Sequence, residues 1–236
     1  METTLTTPAG TGAATAGAAT ADLDRIGALC GLGFTVLAFA SALVAPVAPA
    51  LDDPADEIRT HMVDNQGRLG ASSVLFAAAI LTFVGFLAML HRRIVARSGN
   101  GVAAAAFLAA AAATVTLGLL GCLIEATLVQ RVAPGADDAT VAAWFGLWDM
   151  VAYTGPPLAS GLAIVVAVLV LHREFPGWLG VVGALSAIAG LVGVAVDLTT
   201  ATGLPFAPDF GSFVLANVWF DGVAVAVLRR GRRAAA

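Results

Sequence analysis

The chain has 236 residues, of which 59% are apolar and only 12% charged, with a mean hydropathy of +0.90. A soluble domain is typically about 45–50% apolar and about 25% charged, so a water-soluble globular protein is excluded. The net charge of −4 is too small to single out a partner. All the basic residues are arginine, and they gather at the ends of apolar segments rather than forming a face, which excludes nucleic acid.

In chain order, Met1–Ala21 is Thr, Ala, Gly and Pro with almost no bulky apolar side chain, and reads as a disordered cytoplasmic tail. Residues 22–229 read as an all-α, six-helix transmembrane domain. A helix needs about 20 mainly apolar residues to cross a hydrocarbon core of about 30 Å. Six segments meet that length or approach it: 26–47, 69–90, 102–129, 141–171, 178–199 and 211–228. Each is apolar nearly all round, unlike the one-sided helices of soluble domains. A basic cytoplasmic tail, 230–236, follows. Ala48-Pro49-Ala50 has the small residues of a cleavage site. The apolar run before it is nevertheless longer than the usual stretch of about 7–15 residues, and span one is expected to be retained.

Arginine placement predicts the orientation. Arg25, Arg92, Arg93, Arg97, Arg173, Arg229, Arg230, Arg232 and Arg233 fall on one side of six spans, whereas Arg59, Arg68 and Arg131 fall on the other. Arginine in short loops stays cytoplasmic. The expectation is a multi-pass protein of a bacterial plasma membrane with both termini inside. Cys30 and Cys122 belong to opposite ends of this topology, too far apart for a disulfide, and read as small packing residues.

Between spans one and two, Asp53 is expected to cap a short helix, with Pro54 in its first turn and Ile58 and Met62 on one face. Gly27 and Gly31 form a GxxxG that permits close helix approach. Trp144, Trp148, Phe206 and Phe210 are expected at the external interface, and Phe175 and Trp178 at the cytoplasmic one. Pro156-Pro157 falls midway along span four and must kink it or break its hydrogen-bond ladder.

Four acids fall inside the spans: Glu125, Asp149, Asp197 and Asp221. A charge at the membrane centre costs at least about 2.5–3.5 kcal/mol, which makes each a functional candidate. Glu125 and Asp197 lie near the external interface. Asp149 and Asp221 lie deeper, roughly 13 and 15 Å below the external ends of their helices. Asp149 and Tyr153 are four apart, as are Asn217 and Asp221, so each pair shares a helix face. Together these six residues predict a ligand-binding cavity open to the outside, with Asp149, Tyr153, Asn217 and Asp221 as its floor. No intramembrane Lys, Arg or His offers a counter-ion. His61, His91 and His172 sit at interfaces or in loops, and no zinc, haem or phosphate-loop pattern occurs, so neither metal nor cofactor is expected.

The stretch Arg173-Glu174-Phe175-Pro176-Gly177-Trp178-Leu179-Gly180, leading into a glycine-rich helix, resembles the entry to the fifth helix of a bacterial six-helix membrane family, domain of unknown function 4386. The Ala55–Arg68 loop and the overall length are also similar. Where that family carries Phe-Phe-Gly in helix four, this chain has Pro156-Pro157-Leu158. The resemblance implies the six-helix fold and brings no catalytic residue. Small integral-membrane terpene cyclases are similar in size and architecture, and they use buried acids to protonate an isoprenoid, a role open to Asp149 and Asp221.

Three functions therefore stand as expectations. The first is a non-enzymatic membrane protein, transporter-like or an accessory subunit, whose acidic cavity takes a small molecule or cation. The second is an intramembrane acid-catalysed enzyme on a lipid or isoprenoid. The third is a structural or regulatory subunit whose acids join helices. The bilayer is the expected partner, together with a homo- or hetero-oligomeric assembly.

Overall fold

The computed structural model describes residues 11–99, 101–199 and 208–234, and the side chains of 20–99, 101–196 and 211–231. Helix α1 spans Thr11–Val44. It begins ten residues earlier than the expected end of a disordered tail, because the stretch from Thr11 to Ala21 is rich in alanine, the best helix former. That expectation is corrected from Thr11 onward, and residues 1–10 lie outside the described residues. Pro46 and Pro49 follow α1 and cannot continue it.

The short helix α2 occupies Ala55–Asp64. Pro54 stands just before it in an extended conformation (ψ 138°) and no side chain caps it. Asp53 does not cap it as expected: its Oδ2 accepts from the Ala50 N–H at 2.8 Å and closes the preceding turn instead. Helix α3 (Gln66–Ser98) stops at Gly99, whose φ of 61° is the left-handed conformation that glycine adopts freely.

Helix α4 (Gly101–Thr127) runs through a π-helical turn, Leu128–Val132, into a single turn, α5 (Ala133–Gly135). Helix α6 (Asp138–Asp149) is capped by Asp137, which accepts from the Thr140 N–H at 2.9 Å. A second π-helical turn, Met150–Thr154, joins α6 to α7 (Gly155–Leu171). Helices α8 (Gly177–Thr199) and α9 (Pro208–Ala234) complete the chain. The fold is an all-α bundle, with no strand among the described residues. Among the described residues, six helical stretches are long and apolar enough to cross a membrane: Thr20–Val44, Gln66–Ser98, Gly101–Gly135, Asp138–Leu171, Gly177–Val196 and Gly211–Gly231. Phe206 lies outside the described residues, as do the side chains of Phe210, Arg232 and Arg233.

Glycines set the closest contacts. A Cβ on Gly27 would sit 2.4 Å from Met89 Cβ, and one on Gly31 would sit 2.6 Å from the Phe86 ring. The GxxxG of α1 thus seats directly on α3. Gly222 of α9 meets Leu179 and Trp178 of α8 in the same way. Phe34, Phe83, Phe86 and Phe220 pack together, mostly tilted or edge-on, where α1, α3 and α9 converge. A second apolar cluster closes one end: Ile58 and Met62 of α2, each 1% exposed, pack with Val129, Val141 and Phe145. The outer surface keeps Leu43, Val74, Leu81 and Leu169 exposed, which suits a surrounding of lipid and explains why the spans are apolar all round.

The two ends are tied differently. At one, Arg93 bridges Asp24 (Nη2–Oδ2, 2.5 Å) and Glu174 (Nη1–Oε2, 3.2 Å), while Arg92 pairs with Asp24 and Arg230 lies 5.8 Å over the Phe175 ring. At the other, Arg59 of α2 pairs with Asp138 at 2.6 Å. It also donates to the carbonyls of Ala133 (3.1 Å) and Ala136, satisfying acceptors left open where α5 ends.

Candidate functional site

The π-helical turn at Met150–Thr154 follows from the two prolines. Pro156 and Pro157 lack an N–H, and their rings clash with the carbonyls four residues back, so the turn just before them cannot keep the α-helical ladder. The expected break in span four is therefore observed as a widened turn, and it carries Tyr153 with Asp149 at its edge. Tyr153 is 45% exposed and meets Trp148 edge-on, with ring centroids 5.5 Å apart.

Helix α4 lies tight against this turn, since a Cβ on Gly121 would be 3.3 Å from Ala152. Glu125, four residues further along α4, shares the Gly121 face. Its Oε2 is 2.5 Å from the Ser73 hydroxyl of α3, which also approaches the Leu69 carbonyl at 3.0 Å. The structure thus places Tyr153 in the turn and Asp149 at its edge, with Glu125 on the helix packed against it and Ser73 as the hydrogen-bond partner of Glu125.

Asn217 and Asp221 fall at a different interface. Thr35 of α1 places its hydroxyl oxygen 2.9 Å from Asp221 Oδ1 and 3.1 Å from Asn217 Oδ1. Asn217 is 3% exposed, and its Nδ2 donates to the Phe213 carbonyl at 2.8 Å. Helix α9 packs mainly on α8 and α1, whereas the π-helical turn packs on α4, α6 and α7. The six predicted residues therefore divide between two places. Asp197 lies near the end of α8, and its side chain is outside the described residues.

Sequence reasoning missed Thr35 and Ser73. Hydroxyls are frequent in apolar helices, and Thr35 stands 182 and 186 residues from its partners, so no local spacing reveals it. Further hydroxyls join helices: Ser41 meets the hydroxyl and carbonyl of Ser72 at 2.9 Å, and Ser186 and Ser212 each approach the other's carbonyl at 3.3 Å.

Two cavities stand out, and neither touches an acid. One of about 10 Å³, room for a single water, lies among Phe83, Phe107, Thr114, Ser160 and Trp219. The other, about 70 Å³, opens beside Val168, His172, Phe175, Leu179 and Trp219 near the arginine-rich end. Among the described residues, no group of three His, Cys, Asp or Glu side chains is arranged to hold a metal ion. No family model, curated protein or solved structure matches the chain.

Proposed function

We propose that this chain is a multi-pass plasma-membrane protein, transporter-like or an accessory subunit, that handles a small cation or small molecule at the π-helical turn of span four. The observation that carries the reading is the coincidence of two features at one place. A broken backbone ladder has carbonyls that need partners, Asp149 and Tyr153 stand at it, and Glu125 lies on the helix packed against it; π-helical turns of this kind recur at functional sites. The orientation belongs to the same proposal. Arg92, Arg93, Arg97, Arg173, Arg229 and Arg230 mark the cytoplasmic end, so both termini are inside and α2 covers the outer end. Membership of the six-helix family named above is part of this reading too, and it supplies no activity.

The discriminating experiment is thiol labelling of Asp149→Cys in a background lacking Cys30 and Cys122. In intact cells, a membrane-impermeant reagent is expected to modify the new cysteine from the α2 side. Reaction only with a membrane-permeant reagent would remove the outward route, and with it the ligand site. A second reading has an observation of its own: Glu125 and Asp221 each hydrogen-bond a hydroxyl of a neighbouring helix. Such contacts fasten helices in lipid, at about 0.6 kcal/mol on average, which suits a structural or regulatory subunit. Failure of the labelling experiment leaves that reading in place.

A further inference from the structure

We infer that Thr35, Asn217 and Asp221 form a proton-binding site that joins α1 to α9, separate from the π-helical turn. The argument is a count of hydrogens. The Thr35 hydroxyl carries one, and two acceptor oxygens lie within reach, Asp221 Oδ1 at 2.9 Å and Asn217 Oδ1 at 3.1 Å. The Asn217 amide cannot supply the missing donor to its own oxygen, and its Nδ2 already donates to the Phe213 carbonyl at 2.8 Å. With Asp221 ionised, the single hydroxyl hydrogen serves one acceptor and leaves the other without it. Asn217 is 3% exposed and gains nothing from solvent, and an unserved Asp221 carboxylate would stand ionised within a membrane-compatible span.

One proton on Asp221 removes the conflict between the two acceptors. The Asp221 O–H then donates to Thr35 Oγ1, Thr35 donates to Asn217 Oδ1, and Asn217 Nδ2 donates to the Phe213 carbonyl. The donors point the same way along this chain, which ends on the Phe213 carbonyl. Phe213, Asn217 and Asp221 recur every four residues, so α9 presents all three on one face. Uptake adds one proton to the carboxylate and forms one O–H bond, with no co-reactant.

Among the described residues, the helices packed on the site bring no cation to it. Between Arg25 and its end, α1 brings Cys30 and no charged side chain. Helix α3 meets this part of α9 through Phe83 and Phe86 against Phe220, and α7 has no titratable residue. The titratable residue of α8 is Asp197, whose side chain is outside the described residues. Along α9 the next charged group is Arg229, two turns beyond. The same count recurs at Ser73, whose one hydroxyl hydrogen faces both Glu125 and the Leu69 carbonyl.

Infrared difference spectroscopy of the full chain in lipid vesicles tests the site. At neutral pH the wild type is expected to show the carbonyl stretch of a protonated carboxyl that Asp221→Asn loses and Glu125→Gln retains. Thr35→Val removes the hydroxyl partner and should shift that band. Detecting Asp221 only as a carboxylate at neutral pH would overturn the proposal. So would loss of the band when sodium replaces choline at constant pH, since the occupant would then be a metal cation. If Asp221→Asn fails to fold, carbon-13 labelling of aspartate in the wild type and in Thr35→Val gives the same readout.

Discussion

Around α1, α3 and α9 the helices run without interruption, whereas both π-helical turns fall between α4 and α7. The polar groups follow the same division. On the regular side, Asn217 and Asp221 meet a hydroxyl from a neighbouring helix, within a seam held tight by Gly27, Gly31 and an aromatic cluster. On the irregular side, Glu125 stands three residues before one π-helical turn and Asp149 immediately before the other. An intact helix satisfies its own backbone, so an acid there needs only a side-chain partner. A widened turn adds carbonyls in want of partners, and there a ligand has something to bind.

The largest effect is expected where the regular side is tightest. Gly27→Leu would drive a side chain into Met89 and should destabilise by about 3 kcal/mol. Gly146→Ala in α6, with nothing within 4 Å of the added methyl, should be neutral or stabilise by up to about 1 kcal/mol. Equal effects in a detergent unfolding titration would erase the contrast between the sides. Next comes Arg93→Ala at the end of the regular side. It leaves Asp24 and Glu174 without their shared guanidinium, and the expected loss is about 2 kcal/mol, below that of a fully buried pair because all three side chains keep some exposure.

Pro157→Ala sharpens the comparison from the irregular side. Restoring an N–H should let Met150–Thr154 relax toward an α-helix and raise stability by about 1 kcal/mol. Slower hydrogen exchange at the turn, together with poorer labelling of Asp149→Cys, is the expected result. Unchanged exchange would mean that the prolines do not cause the turn.

The smallest effect concerns His61 in α2. Burial, and then the Arg68 charge, lower its pKa from the ordinary 6.5, with Asp64 opposing. The folded chain therefore holds this proton less well than the unfolded one. The stability it contributes is fully present above about pH 6.5 and is lost as pH falls through the lowered value. A melting temperature that declines on acidification, and declines less in His61→Gln, checks the sign.

Much of this was legible in the sequence because lipid imposes a strict rule. With no water to satisfy the backbone, long apolar segments must be helices, and the scarcity of charge revealed how many there are. Pro156-Pro157 announced the broken ladder, and the spacing of Asn217 and Asp221 announced a shared face. The spacing argument did not extend to which helix each face meets. It put on one cavity floor residues that fall at two different helix interfaces, and it gave Asp53 a cap where Asp53 instead closes a turn onto Ala50.

By itself, then, the sequence determined the all-α class, the six apolar stretches and the identity of the acids within them, because hydropathy and proline chemistry act locally. Only the tertiary structure decided that Thr35 meets Asp221, that Ser73 meets Glu125, and that Asp149 stands at the edge of a π-helical turn packed on α4. Those pairings join residues far apart in the chain. They depend on which glycine faces let two helices touch, and no local pattern records that.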